Sequence, residues 1–207
     1  MNYSYLIIDQ ETRKAAIVDP AWELKKILTQ LESYNVELVA VYLTHSHWDH
    51  VNLVDSLVIL HRPKVYMSLK EIEFYNYSCE NLTPITDGDR LYIGKCEVQV
   101  ILTPGHTAGS VCFKAGEYLF TGDTVFVEGC GICNGFGGSA IDMYKSLQKL
   151  KALIQPQTNI CPGHSFSKKI GCSFQYLLDN NIYFLINDIR HFLSFRMRKN
   201  QPSSKFY

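Results

Sequence analysis

The chain has 207 residues and a mass of 23.7 kDa, which is enough for one domain with a sizeable buried core. Charged residues make up 19% of it and the formal net charge is zero, which excludes a global charge that would attract nucleic acid or a membrane. No apolar run approaches the roughly 20 residues that span a bilayer, and no secretory signal is recognisable. With an odd number of cysteines, seven, these features predict a cytoplasmic protein with reduced thiols.

Apolar periodicity predicts an alternation of strands and helices along the chain. Strands are expected at 2–9 and 15–19 (as a hairpin), 37–43, 64–67, 90–93, 96–103, 111–115, 117–121 and 158–161. Helices are expected at 22–34, 51–60, 70–78 and 140–153, with a glycine-rich loop at 129–138. The pattern favours an α/β fold with helices covering sheet, and the run of strands from 90 to 121 argues against a purely parallel sheet. We expect a single domain over residues 1–207 that ends in a short helical tail, at about 172–200.

Charge is distributed unevenly along this domain. Residues 1–164 hold 13 Lys and Arg against 18 Asp and Glu, whereas residues 165–207 hold 7 against 2. Four of these cations lie near the end of a predicted helix: Arg190, Arg196, Arg198 and Lys199. They are expected either to have a structural role at the helix terminus, where cations suit the helix dipole, or to recruit an acidic partner.

The stretch T-H-S-H-W-D-H, residues 44–50, contains three of the seven histidines and an aspartate. His45 and His47 are separated by one residue and point the same way from an extended backbone. Asp49 and His50 are adjacent and therefore project elsewhere. Imidazole with carboxylate suits zinc, iron or manganese, so the spacing predicts two ligand pairs for two metal ions.

Three further candidate ligands follow strand-like runs at turns that contain glycine. They are His106 in T-P-G-H-T-A-G-S, Asp123 in F-T-G-D-T and His164 in C-P-G-H-S. Taken singly, each is typical of a turn or a helix cap. Taken together, five of the seven histidines and two aspartates lie in four loops of the same strand-to-loop character, which indicates one shared site. His61 and His191 lie in helical patterns and are interpreted as structural or solvated.

T-H-S-H-W-D-H resembles the H-x-H-x-D-H signature of the metallo-β-lactamase superfamily, and G-H-T, G-D-T and G-H-S resemble its later metal motifs in the same order. The resemblance covers roughly residues 2–164. It implies an αββα sandwich, in which two mixed β-sheets are flanked by helices and hold a dinuclear site. By position, it assigns one ion to His45, His47 and His106, and the other to Asp49, His50 and His164, with Asp123 as the bridging carboxylate.

Within this superfamily, G-D-T-V-F-V-E-G-C-G resembles glyoxalase II-type thioester hydrolases. The chain is more similar still to zinc-dependent hydrolases associated with trans-acyltransferase polyketide synthases. This implies two zinc ions, with iron or manganese as alternatives, an acyl-thioester substrate, and an acyl carrier protein as a partner. A water activated by the metals would attack the thioester, Asp49 and Asp123 would orient it, and a thiolate would leave without a strong acid.

The chain departs from glyoxalase II after G-C-G, where Ile132 replaces a basic residue that helps hold glutathione. Only 43 residues follow His164, fewer than the glutathione-contacting domain of the larger enzymes needs, so a glutathione thioester is expected to be a poor substrate. Cys130 and Cys133 form a C-x-x-C that we interpret as loop packing, with a redox pair or half a zinc site as alternatives. A glutathione thioester hydrolase, a mono-iron persulfide dioxygenase and a lactonase remain open, whereas a nuclease and a non-catalytic binding module are disfavoured.

Overall fold

A computed structural model of the protein describes residues 2–166 and 170–199. The described residues form two five-stranded sheets. The first has the order β1-β2-β3-β4-β5 and contains β1 (Tyr5–Asp9), β2 (Lys14–Val18), β3 (Glu37–Tyr42), β4 (Lys64–Ser68) and β5 (Leu82–Ile85). The second has the order β10-β9-β8-β7-β6 and contains β6 (Arg90–Ile93), β7 (Cys96–Leu102), β8 (Val111–Ala115), β9 (Tyr118–Gly122) and β10 (Asn159–Pro162).

Both sheets are mixed. β1 pairs antiparallel with β2, and the other pairs of the first sheet are parallel. In the second sheet β10 pairs parallel with β9 and the remaining pairs are antiparallel. The helices are α1 (Leu24–Tyr34), α2 (Trp48–Val51), α3 (Val54–His61), α4 (Leu69–Tyr75), α5 (Ala140–Leu153), α6 (Phe174–Asn180), α7 (Ile182–Leu185) and α8 (Ile189–Arg196). In the part of the chain that the structure describes, no helix is long and apolar enough to cross a membrane.

The layers follow from the two-residue period of the strands. Ala16 and Val18 of β2 face the second sheet, whereas Ala15 and Ile17 face α1 and α3. The outer face of the second sheet is covered by α5 to α8, and Phe192 of α8 is fully buried there. The predicted αββα sandwich of two mixed sheets flanked by helices is therefore confirmed. The helices of the predicted tail pack on the same core as α5, and residues 200–207 lie outside the described part.

Two elements differ from the sequence predictions. β5 was not expected, because its four residues include Pro84, which breaks a strand pattern but is tolerated on the edge strand that β5 is. The helix expected at 51–60 starts earlier and is broken into α2 and α3. At the break the Leu53 N–H donates to the Pro20 carbonyl, outside the helix, instead of to the carbonyl four residues earlier.

The two sheets contact each other closely beside the loop that follows β3. The Val111 N–H of β8 donates to the Thr44 carbonyl that follows β3, at 2.9 Å. Gly122, the last residue of β9, has a φ of 47°, and a Cβ there would lie 2.2 Å from Thr44 Oγ1. Glycine is required at this point both for its backbone conformation and for the missing side chain. The loops after β3 and β9 are thereby brought together.

Gly122→Ala should destabilise the protein more than Gly116→Ala, measured as the free energy of unfolding in urea. Gly116 has a similar φ of 52°, but nothing lies within 4 Å of the Cβ it would gain. Both variants pay about 1–2 kcal/mol for the left-handed backbone, and only Gly122→Ala adds about 1–3 kcal/mol of overpacking. Equal losses would mean that the sheets can separate here without cost.

Candidate metal centre

The structure brings together all seven residues predicted as ligands, at the C-terminal ends of strands from both sheets. The ligand atoms of each predicted set lie within 4.8 Å of one another. The first set follows β3 and β7 and consists of His45, His47 and His106. The second follows β3 and β10 and consists of Asp49, His50 and His164. His61 and His191 belong to neither set and are exposed on α3 and α8.

The hydrogen bonds of the first set determine which ring nitrogens are free to bind a ligand. His106 Nδ1–H donates to the Ile132 carbonyl at 2.9 Å, so its Nε2 carries the lone pair. Thr44 Oγ1 donates to Asp19 at 2.6 Å, so His45 Nδ1–H, 3.0 Å from the same hydroxyl, must be the donor in that contact. His45 Nε2 is then also unprotonated, and it is buried without a hydrogen-bond partner.

The second set is oriented in the same way. His50 Nδ1–H donates to Asp19 Oδ2 at 3.0 Å, which turns its Nε2 inward to lie 3.2 Å from His164 Nε2. Asp49 Oδ2 is 3.3 Å from His164 Nε2 and accepts a hydrogen bond of 3.0 Å from the Asn2 amide. The outer hydrogen bonds of both sets therefore aim their inner atoms at one another, which is how proteins orient metal ligands.

Asp123, the carboxylate after β9, lies between the two sets. Its Oδ2 is 3.3 Å from His164 Nε2 and 3.6 Å from His106 Nε2. Its Oδ1 is buried, and His50 Nε2 lies 3.3 Å away from it. The bridging role expected from the sequence stays a prediction.

The histidine pKa values are lowered in the first set and raised in the second. In the first set, burial lowers the pKa of His106 to about 4 and holds the pKa of His45 well below its usual range. In the second, burial also opposes the charged form, but hydrogen bonds to the Asp123 and Asp49 carboxylates outweigh it and raise the pKa of His164 to about 9. Without a metal, the first set is therefore neutral at neutral pH, whereas the second carries protons.

The carboxylates stay ionised because the neighbouring histidines lower their pKa values. Burial works to raise the pKa of Asp123, but the adjacent His50 and a hydrogen bond with His164 hold it well below its usual range. Burial likewise opposes ionisation of Asp49, and its contacts with His164, His50 and Asn2 lower its pKa to about 2. Burial works to lower the pKa of His50, but the Asp123 and Asp19 carboxylates outweigh it and raise that pKa well above its usual range.

The residues present fit metal ions. The ring nitrogens of His47 and His106 are 3.0 Å apart, and those of His50 and His164 are 3.2 Å apart. Two nitrogens bound tetrahedrally to one zinc at about 2.0–2.1 Å would be about 3.3 Å apart, close to both values. An ion would also satisfy His45 Nε2, which otherwise costs about 1–3 kcal/mol as an unpaired buried atom.

Asp19 is a functional residue that the sequence analysis missed. It could form a third group with His45 and His50 by distance alone. However, its Oδ1 accepts from Thr44 N at 2.8 Å, and its Oδ2 accepts from Thr44 Oγ1 and His50 Nδ1. Because these donors occupy both oxygens, we assign Asp19 as a support for the ligands rather than a ligand. Its position after β2 was the available signal, since the other site residues also follow strands.

Cys130 and Cys133 are buried in the core around α5, and burial raises the pKa of both thiols. All seven cysteines are unpaired, and none joins a metal-binding group of the described residues. This agrees with the loop-packing interpretation. Of the four cations near the end of the predicted helix, Arg196 favours the structural alternative. It is buried, and its Nε donates to the Gly131 carbonyl at 3.0 Å.

Aromatic side chains lie on the loops that carry the ligands and on the glycine-rich loop that bonds His106. Trp48, between His47 and Asp49, is 69% exposed, and Phe136 of the glycine-rich loop is 77% exposed. Phe166 lies over the ring of His164, with ring centroids 6.2 Å apart and an angle of 25° between the planes. Such a surface favours an extended, largely apolar substrate group over a highly charged one.

The family model of the metallo-β-lactamase superfamily matches residues 1–164. The probable polyketide biosynthesis zinc-dependent hydrolase BaeB of Bacillus velezensis is 50% identical over 200 residues, covering 97% of this chain and 89% of that protein. The cytoplasmic hydroxyacylglutathione hydrolase of Arabidopsis thaliana is 35% identical over 179 residues, covering 81% of this chain and 65% of that protein. Among solved structures, ETHE1 from Myxococcus xanthus superposes with a TM-score of 0.89 at 28% identity, covering 99% of this chain and 89% of that one. The protein therefore belongs to the metallo-β-lactamase superfamily.

Proposed function

We propose that the protein is a zinc-dependent hydrolase that cleaves acyl thioesters at a site for two ions. The observation that carries the proposal is the convergence of buried ring nitrogens and carboxylates, in which outer hydrogen bonds leave the Nε2 atoms of His45 and His106 unprotonated and facing inward. His45 Nε2 is unpaired, and Asp123 lies between the two sets of ligands. We assign His45, His47 and His106 to one ion and Asp49, His50 and His164 to the other, with Asp123 shared.

The thioester assignment is supported by two kinds of observation. The 50% identical relative from Bacillus velezensis is named as a zinc-dependent hydrolase of polyketide biosynthesis, a process in which acyl groups are carried as thioesters. The exposed aromatic residues around the cluster, Trp48 and Phe136, suit an acyl chain on a phosphopantetheine arm. An acyl carrier protein is the partner that would present such an arm.

Bound zinc would supply two kinds of chemistry here, a water acidified towards neutral pH and polarisation of the thioester carbonyl. The protein's own residues would orient the reactants. The carboxylates of Asp49 and Asp123 face the space between the ligand sets, where each would accept a hydrogen bond from the attacking water and so orient it. The leaving thiol has a pKa of about 8.5, so no protein acid is required to protonate it before it leaves.

No side-chain nucleophile competes with water among the described residues of the site. Ser46, the hydroxyl between the first two histidines, donates to the Glu71 carboxylate at 2.8 Å. That carboxylate also accepts from the Ser46 N–H, the Thr107 hydroxyl and the Gly109 N–H, so it fixes the Ser46 hydroxyl in place rather than serving as a free base. The thiols of Cys130 and Cys133 are buried with raised pKa values, which disfavours the reactive thiolate. Direct hydrolysis by water is therefore the mechanism that this arrangement supports best.

A glutathione thioester hydrolase is the second candidate, because the Arabidopsis relative is named as one and shares 35% identity. The residue that argues against it is Ile132, which presents an aliphatic side chain beside the His106 loop where glyoxalase II-type enzymes place a cation. A glutathione carboxylate would lose that charged contact here.

The proposed function is tested by metal analysis together with a panel of thioesters. The purified protein should contain two zinc ions per chain and should hydrolyse an acyl group linked to a carrier protein or to pantetheine. A single iron per chain, with oxygen consumption and sulfite as product from a persulfide, would instead establish the dioxygenase alternative. Hydrolysis of lactones but of no thioester would establish a lactonase.

His47→Ala and Asp123→Ala should each reduce thioester hydrolysis by more than about 100-fold, because metal polarisation contributes several kcal/mol to such reactions. Far-ultraviolet circular dichroism should remain near that of the wild type, since neither side chain belongs to the three hydrophobic clusters. His61→Ala is the control, because His61 is exposed on α3, and its rate should be unchanged. Appreciable activity in either ligand variant would contradict the assignment.

Ile132→Arg should improve hydrolysis of S-lactoylglutathione and leave an acyl-pantetheine thioester nearly unaffected. An exposed ion pair contributes about 0.2–1 kcal/mol, so KM for the glutathione substrate should fall by up to about fivefold. Ile59→Arg, on the exposed side of α3, is the matched control and should change neither substrate. If wild-type protein already prefers the glutathione thioester, the second candidate replaces the first.

Zinc binding to the second set should release up to two protons at pH 7.5, whereas binding to the first should release none. His50 and His164 have raised pKa values without metal, and His45 and His106 have lowered ones. Affinity for the second ion should therefore rise with pH until about pH 9, where His164 loses its proton in the free protein. Calorimetry in buffers with different ionisation enthalpies measures the number of protons, and identical heats in all buffers would refute the prediction.

A further inference from the structure

Glu71 is a buried acid that the proposed reaction does not use. It lies in the first turn of α4, is 0% exposed, and faces the loops that carry the first set of histidines. A buried carboxylate is costly unless hydrogen bonds satisfy both of its oxygens. The partners that satisfy Glu71 are therefore informative about why it is there.

Those partners belong to the two loops that hold His45, His47 and His106. Oε1 accepts from the Ser46 N–H at 2.9 Å and from the Ser46 hydroxyl at 2.8 Å. Oε2 accepts from the Thr107 hydroxyl at 2.8 Å and from the Gly109 N–H at 2.9 Å. Ser46 separates His45 from His47, and Thr107 directly follows His106.

The contact between α4 and the second of these loops is close and leaves little room for adjustment. A Cβ on Gly109 would lie 2.2 Å from the Glu71 backbone nitrogen. Ser68, which caps α4, bonds both Glu71 N and the Gly109 carbonyl. Because the Thr107 hydroxyl donates to Glu71, its contact with Ser110 must be one in which Ser110 donates. The loop after β7 is thereby held against α4 by backbone and side-chain bonds together.

We infer that Glu71 is the positioning residue of the first metal site, joining the loop after β3 to the loop after β7 so that His45, His47 and His106 converge. The inference rests on the proposed assignment of these histidines to one ion. The ligands of the other ion are supported differently, because Asp19 holds His50 and Asn2 holds Asp49. Loss of Glu71 should therefore affect one ion and spare the other.

Glu71→Gln is the sharpest change, because it preserves side-chain volume. Each Glu71 oxygen faces a backbone N–H, which can only donate. The amide nitrogen of Gln must therefore face one of these two N–H groups, so one loop loses its partner. Loss of such outer support lowers metal affinity by about 10–100-fold. Glu73→Gln, at an exposed position of the same helix, is the matched control.

The experiment measures zinc affinity by chelator competition in two backgrounds that each keep one site. In His164→Ala protein, which keeps the first site, Glu71→Gln should weaken binding by about 10–100-fold and Glu73→Gln should not. In His47→Ala protein, which keeps the second site, Glu71→Gln should change binding less than about twofold. Equal losses in both backgrounds, or no loss in the first, would overturn the inference.

Two further measurements keep the outcome interpretable. If Glu71→Gln does not fold, Ser46→Ala removes one of the four hydrogen bonds and should still weaken the first site selectively, and failure to do so counts against the inference. If wild-type protein takes up no zinc at all, the proposed function fails and the inference fails with it. If the wild type binds two ions and both stay unchanged in Glu71→Gln, the inference alone fails.

Discussion

The metal centre depends on the hydrogen bonds that the buried Asp19 carboxylate accepts. This carboxylate accepts from the backbone and hydroxyl of Thr44 and from His50 Nδ1, and it lies at the end of β2. Through Thr44 it determines the tautomer of His45, and through His50 it orients a ligand of the other set. One side chain of the first sheet therefore sets proton positions in both halves of the site. Removing it would leave three buried donors without a partner, each costing about 1–3 kcal/mol.

The two supporting carboxylates come from the first sheet, although the ligands come from both. Asp19 follows β2 and Glu71 lies in the first turn of α4, directly after β4, whereas His106, Asp123 and His164 follow strands of the second sheet. The second sheet thus contributes ligands on loops, and the first provides the rigid polar frame that receives them. This division explains why the sheets approach so closely at Gly122, because a wider gap would break contacts between ligand and support.

The ligand motifs could be recognised from the sequence because each follows a strand-like run, and the three later ones also include a glycine, a pattern that needs no knowledge of distant contacts. Asp19, Glu71 and Asn2 could not be found in this way. Their partners are 25 or more residues away along the chain, and they become neighbours only once the two sheets have formed. β5 escaped detection because Pro84 interrupts its pattern, and the two roles considered for Arg196 could not be separated because charge alone does not reveal burial.

The buried Arg196 has a consequence for the end of the described chain. Its guanidinium donates to the Gly131 carbonyl, and the next carbonyl along, that of Ile132, accepts from His106. α8 and the metal centre are thus connected through two consecutive carbonyl groups. Any free energy that an ion gains from a well-oriented His106 must, by linkage, also resist local opening of α8. Amide hydrogen exchange in α8 would then slow when an ion is bound, although this helix contains none of the ligands.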